Sequence, residues 1–146
     1  MPKLNAVEYE SFEAIKQTNE NETEFWNARD LQNVLQYAKW ENFSKVIDRA
    51  MLACRNSGFD VDDHFPDVRE TIKMPKSAEK QVIDYKLSRY ACYLIVQNDD
   101  PRKEIIALGQ TYFAIQTRRQ ELAETFNQLD ENNKRLVVRS NIKQVT

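Results

Sequence analysis

Glycine is nearly missing from this 146-residue chain, which holds only Gly58 and Gly109, and His64 is its one histidine; cysteine occurs twice. Two isolated glycines cannot build a Gly-rich loop that cradles phosphates. One histidine leaves no His pair for a catalytic zinc. With no Ser or Cys nucleophile set beside a base, the usual enzyme constellations are absent. Cys54 and Cys92 fall on apolar helical faces without metal-ligand spacing, which predicts buried free thiols rather than a disulfide or redox pair. No run approaches the roughly 20 apolar residues of a membrane span. The opening MPKLNAVEYESFEAIK lacks the basic-then-apolar layout of a signal peptide. The expectation is a cytoplasmic, non-enzymatic protein with no cofactor, no metal and no membrane partner.

What is present is ordinary for a globular chain: 41% hydrophobic and 30% charged residues, enough for one domain, 1–146, with a sizeable core. Net charge is −2, but residues 1–70 carry −6 and residues 71–146 carry +4. That asymmetry permits an anion-binding surface in the second half. The acidic stretch FDVDDHFPD, with Asp60, Asp62, Asp63 and His64, hints at a metal. It lacks the Gly turns and ordered ligand series of a hard-cation loop, so a solvated loop is the favoured reading.

The densest pattern runs from Ser88 to Phe126 and reads as a central buried helix pair, 88–98 and 101–126, broken at Asp99-Asp100-Pro101. SRYACYLIVQN is apolar on most sides, as a buried helix is, with Ser88 as N-cap. Asp100 and Pro101 suit the N-cap and first turn of the next helix. There Ile105, Leu108, Tyr112, Ile115, Leu122 and Phe126 form one apolar seam, expected to be core. Arg119 fills a slot of that seam, as a snorkelling or ion-paired side chain in preference to a ligand contact. Gly109, costly by about 1 kcal/mol in a helix interior, implies close approach of another backbone, most simply the preceding helix.

Elsewhere, Phe12 to Gln17 and Glu24 to Asn27 read as a small hairpin. Ala28–Tyr37 reads as a short helix opened by Asn27 with Asp30 three residues on, a weak capping box. Phe43, Val46, Ile47, Ala50, Met51 and Cys54 mark a longer helix stopped by Gly58. The pair can be read as a helix-turn-helix with Lys39, Trp40, Asn42 and Lys45 pointing outward, although such pairs are common in domains that bind nothing. Val68, Ile72 and Met74, then Ile83, Tyr85 and Leu87, alternate with polar residues as two half-buried strands of a second hairpin. Its tip holds Lys76 and Lys80, with Lys73 just below. These lysines could lie against phosphates as a wing does, or only discourage edge aggregation. Asp130 is expected to cap a last amphipathic helix. The fold class is α+β, with two small antiparallel hairpins packed against about five helices.

LSRYACYLIVQNDDP followed by GQTYFAIQTRRQEL strongly resembles the DNA-damage-inducible protein D family of bacteria, whose N-terminal region is classed with the Bro-N domain of viral and phage proteins. The likeness extends more loosely from Phe12 to about Arg139. Family members are typically longer, so the chain resembles the N-terminal portion of their architecture, or a short relative. They carry Asn-Gly where this chain has Asn21-Glu22, and often Gly where it has Gln36. A wider loop is therefore expected at Asn21-Glu22, and no left-handed residue at position 36.

The resemblance implies a regulator in the bacterial SOS response that modulates RecA-dependent recombination on single-stranded DNA. Its partners would be single-stranded DNA, the RecA filament, or both. The candidate DNA-binding residues are Lys73, Lys76, Lys80, Arg118 and Arg119, with Lys39 and Lys45 of the helix-turn-helix reading; Tyr90, Tyr93 and Tyr112 are expected in the core rather than stacked on bases. Two alternatives stand beside this: a protein-interaction or homo-oligomerising module using the long helix and the 126–146 region, and a phage-type antirepressor or transcription regulator.

Overall fold

The computed structural model describes the backbone of residues 6–145 and the side chains of residues 10–129. In chain order the elements are α1 (Ala6–Ala14), β1 (Lys16–Thr18), β2 (Glu24–Asn27), α2 (Ala28–Val34), α3 (Trp40–Asn56), α4 (Val61–His64), β3 (Asp67–Lys73), a 3-10 turn (Pro75–Ser77), β4 (Glu79–Leu87), α5 (Arg89–Gln97) and α6 (Glu104–Val145). The architecture is α+β, as expected. The chain divides into two compact units, Met1–Ala114 and Ile115–Thr146.

In the first unit both hairpins are present, and they join. β2 pairs antiparallel with β4 through Trp26 opposite Leu87 and Asn27 opposite Lys86, giving one four-stranded antiparallel sheet in the order β1-β2-β4-β3. Phe12 is not part of the first hairpin, because α1 runs on to Ala14 and leaves only Lys16–Thr18 as strand. Trp26 and Leu87, fully buried, sit where the two hairpins meet.

Around that junction the core is aromatic. The Trp26 indole N–H donates to the Phe12 carbonyl at 3.0 Å, and its ring meets Phe113 edge-on at 5.2 Å. Phe12 stacks on Tyr112 at 5.1 Å, whose hydroxyl donates to Glu13 at 2.7 Å. α5 is the buried rod foreseen: Ala91, Cys92, Leu94, Ile95 and Val96 face inward, and the Ser88 hydroxyl accepts the Ala91 N–H. A Cβ on Gly109 would stand 3.1 Å from Val96 Cγ1 and 3.2 Å from Phe12 Cζ. The close neighbours are thus side chains of α5 and α1, not a passing backbone.

α6 departs from expectation at both ends. It starts at Glu104 rather than Pro101, because the Asp100 carboxylate is held by the Arg102 backbone N–H and guanidinium in a tight turn. That pairing draws the Asp100 carboxyl down to about 2. No break occurs at Asp130, and one helix continues to Val145. The side chains of the proposed last helix lie outside the described residues. Along the expected core seam Ile105 and Tyr112 are buried, whereas Ile115, Leu122 and Phe126 are exposed. The partners buried beside them are Ile106 and Phe113.

α2 and α3 end alike. After α3, Phe59 N–H reaches the Cys54 carbonyl and Gly58 N–H the Arg55 carbonyl, with Gly58 at φ 86°. After α2, Tyr37 N–H reaches Gln32 and Gln36 N–H reaches Asn33, but the left-handed position is Gln36 at φ 65°. Both are Schellman closures. The expectation at Gln36 is therefore corrected: the geometry persists, with Lys103 Nζ donating to the Leu35 and Gln36 carbonyls and holding the strained turn. Gln36→Gly is expected to stabilise the fold by about 0.5–1 kcal/mol, since the left-handed penalty exceeds the added chain entropy. A shift of the urea midpoint with unchanged slope would report it, and a lower midpoint would refute it. Glu22, at φ 61°, is the same substitution in the first hairpin's loop. There the Asn19 side chain accepts both the Asn21 and Thr23 N–H groups, in the wider turn expected.

Candidate nucleic-acid interface

β3 and β4 form the longest ribbon of the sheet, and its register decides where the lysines point. Asp67 stands opposite Tyr85 and Lys73 opposite Glu79. Residues paired across a ladder share a face. Arg69, Thr71 and Lys73 therefore lie on one side with Ile83, Gln81 and Glu79, while Val68, Glu70 and Ile72 lie on the other with Asp84, Val82 and Lys80. The two apolar series read from the sequence thus occupy opposite faces. Neither series is buried as a set: Ile72, Met74 and Ile83 are exposed, so the expectation of half-buried strands fails over the outer ribbon. Within this ribbon full burial is confined to the root, at Asp84 and Leu87.

At the free end Lys76 and Ser77 both adopt positive φ (66° and 63°), and the Met74 N–H closes the tip on the Ala78 carbonyl at 2.7 Å. Lys73, Lys76 and Lys80 are exposed. Among the described residues none of the three lies in an ion pair. They flank and crown the ribbon tip rather than forming one flat patch, an arrangement suited to a strand of phosphates passing around the end. Lys39, at the N-cap position of α3, and Lys45 within it are exposed as well. Arg118 and Arg119, also exposed, belong to the second unit, where Arg118 pairs with Glu121 at 3.4 Å.

The sequence did not reveal how the ribbon root is tied to the helix pair. Trp40, the first residue of α3, stacks on Tyr85 of β4 at 6.4 Å and 19°, and the Arg29 guanidinium lies 4.2 Å from the centre of the Trp40 ring. Arg29 Nε also donates to the Ile83 carbonyl at 3.0 Å. The α2 cap comes from afar: Asp84, 1% exposed, accepts the Arg29 N–H at 3.0 Å. Asn27, at the N-cap position, makes no capping hydrogen bond to the backbone, and its amide instead donates to Asp30 at 3.3 Å. Trp40 does not point outward with Lys39, Asn42 and Lys45 as expected: three residues before Phe43 and seven before Ile47, it continues the α3 apolar face and packs edge-on against Phe43 at 6.0 Å.

At the ribbon root burial first, then the nearby Asp48 and Asp67 carboxylates, push the Tyr85 phenol up. On the opposite face Glu70 approaches Asp84. Desolvation, then the Asp84 charge and the hydrogen bond between them, raise the Glu70 carboxyl, with Arg29 opposing and Asp30 adding to the rise. A carboxyl raised on folding supports the fold while protonated, and that support is lost as pH rises through its titration. Glu70→Gln keeps a donor for Asp84 without the second charge. The variant is expected to be more stable than the parent by about 0.5 kcal/mol at pH 7, with the difference vanishing at about pH 4. Thermal melts at both pH values check this; an equal gain at both would refute it.

The Asp60–His64 stretch is a short helix, α4, rather than an open loop. Asp60 accepts the Asp62 N–H, and the His64 imidazole is hydrogen-bonded to the Ser88 hydroxyl at 2.7 Å. Among the described residues no group of three His, Cys, Asp or Glu side chains is placed to hold a metal, and no helix is long and apolar enough to cross a membrane. Cys54 and Cys92 are buried free thiols, as expected. Tyr112 is core, while Tyr90 and Tyr93 are half-buried.

Comparison with known proteins gives two findings and one absence. The chain is similar to DNA damage-inducible protein D of Escherichia coli (strain K12), 51% identical over 138 residues, which cover 93% of this chain and 50% of that protein. It thus spans about half the length of the curated relative it matches. No solved structure matches. Residues 14–114 match the model of the BRO family, N-terminal domain, a stretch that runs from the end of α1 through the first turns of α6 and includes both the lysine ribbon and its aromatic anchor; the chain belongs to that family.

Proposed function

We propose that this protein is a non-enzymatic regulator of the bacterial DNA-damage response that acts on recombination by engaging single-stranded DNA, the RecA filament formed on it, or both. The carrying observation is the β3–β4 ribbon. Its three exposed lysines, outside any described ion pair, sit on a sheet anchored in an aromatic core. The similarity to a protein named for induction by DNA damage supports the biological setting. Contacts of this kind release counterions, so binding is sequence-tolerant and falls steeply with salt.

A second reading has its own observation. The Trp40–Tyr85 stack places the start of α3 beside the ribbon root, the relation of recognition helix to wing, and favours a duplex-binding transcription regulator. Fluorescence anisotropy with single- and double-stranded oligonucleotides at two salt concentrations, with and without RecA, tests both. Single-strand preference or binding only to the RecA filament supports the first, and duplex preference the second. No binding under any of these conditions would remove both.

A further inference from the structure

Leu108, Ile115, Leu122, Leu129 and Leu136 recur every seven residues along α6, and Tyr112, Arg119, Phe126 and Asn133 fall between them at the alternating step of three and four. These are the d and a series of a heptad. A straight α-helix drifts by about 20° per heptad, so a strict seven-residue repeat suits a helix supercoiled with another of the same period. Inside the first unit the series is used as core, with Tyr112 buried. From Arg118 to Leu129 every residue is exposed, although Leu122 is 51%, Phe126 70% and Leu129 53% open to solvent. A stretch of helix with no buried side chain gains nothing from packing and is marginal in water, and this one also presents an apolar seam.

We propose that the second unit pairs with a second copy of this chain as a parallel two-stranded coiled coil from Ile115 to Leu136. Leucine at most d positions suits a two-stranded pairing, and the single asparagine at an a position, Asn133, fixes its register. The pattern also says what covers the seam. A groove on a globular partner needs only one short run of anchors at i, i+3, i+4 and i+7, whereas about three heptads of unbroken d leucines or isoleucine are what a stable self-pairing coil needs. Arg119 is the discordant layer: in a parallel pair two guanidinium groups meet at one a position and must turn outward along their stems. The pairing is therefore weaker than the leucines alone would make it. None of this depends on the DNA reading.

Sedimentation equilibrium of the full chain over about 1 to 200 µM tests the proposal through its concentration dependence. The parent is expected to move from monomer to dimer. Leu122→Glu with Leu129→Glu is expected to stay monomeric with an unchanged near-UV spectrum from the buried core. Arg119→Leu is expected to tighten the dimer at least about tenfold, which a monomer or a different interface would not do. With an added thiol oxidant such as diamide to take the two electrons and two protons, Asn133→Cys is expected to form a disulfide-linked dimer, since Cys54 and Cys92 are buried and do not compete. A parent that is monomeric throughout, or a double variant that dimerises as the parent does, would overturn the proposal. A dimer that Asn133→Cys does not cross-link would overturn its parallel register.

Discussion

Trp26→Ala is expected to remove about 4 kcal/mol of folding stability, the high range for truncating a buried aromatic. Three losses coincide at this side chain. It is fully buried, so its removal leaves a cavity in an aromatic cluster rather than at an edge. Its indole N–H is the donor for the Phe12 carbonyl, and that acceptor becomes an unsatisfied group inside the core. Its edge-on contact with Phe113 contributes a further directional term. Because Trp26 also pairs with Leu87 at the β2–β4 junction, the sheet loses side-chain support where its two hairpins join. A domain of this size commonly has about 5–15 kcal/mol in total, so much of the stability disappears. Urea unfolding followed by far-UV circular dichroism measures it. Trp26→Phe, which keeps ring volume but not the donor, should lose about half as much. A loss below about 1 kcal/mol for the alanine variant would mean that the core closes over the gap and that this account of the junction is wrong.

How far the sequence reaches depends on whether the cause of a feature is local. The 3.6-residue pattern of Phe43, Val46, Ile47, Ala50 and Cys54 is local, and α3 buries those five residues. Ser88 and Gly58 act within a turn of themselves, and both do what their types dictate. The Asp84 cap on α2 acts across 55 positions of chain. Nothing near Asn27 could announce it. Gln36 is misleading for a different reason: left-handed residues other than Gly cost energy that surrounding bonds must outweigh, and Lys103 supplies such bonds from 67 residues away. No new helix starts at Asp130, because a helix already propagating through Phe126 adds a hydrogen bond with each residue it includes.

The candidate site was legible in its parts and illegible in its geometry. Alternation correctly marked β3 and β4, yet alternation within each strand does not say which residue of one faces which residue of the other. Here the register sets Val68, Ile72 and Lys80 on one face and Ile83, Tyr85 and Lys73 on the other. A one-residue slip would have put the apolar series together and both of these lysines on one side. The anchoring stack of Arg29, Trp40 and Tyr85 joins three elements, and although Trp40 continues the α3 apolar stripe, that periodicity does not say that Arg29 and Tyr85 are its neighbours.

Lys73→Glu, Lys76→Glu and Lys80→Glu combined should weaken binding to single-stranded DNA by about 100-fold or more at low salt, and should flatten the salt dependence. Each lysine lost from a phosphate reduces the slope of log K against log salt by about 0.7 for a single strand, and three lost together by about 2. Replacement by glutamate adds repulsion, so the affinity loss exceeds the neutral case and shrinks as salt screens it. All three positions are exposed and outside any described ion pair, so the melting temperature of the triple variant should stay close to that of the parent. Lys39→Glu with Lys45→Glu is the matched comparison on α3. If the ribbon tip carries the contact, this pair costs much less than the triple variant. If duplex DNA is read by the helix, the order reverses and the ribbon acts as an accessory wing. Unchanged affinity and slope in the triple variant would dismiss the ribbon as a nucleic-acid surface and leave its lysines as guards of an exposed sheet edge.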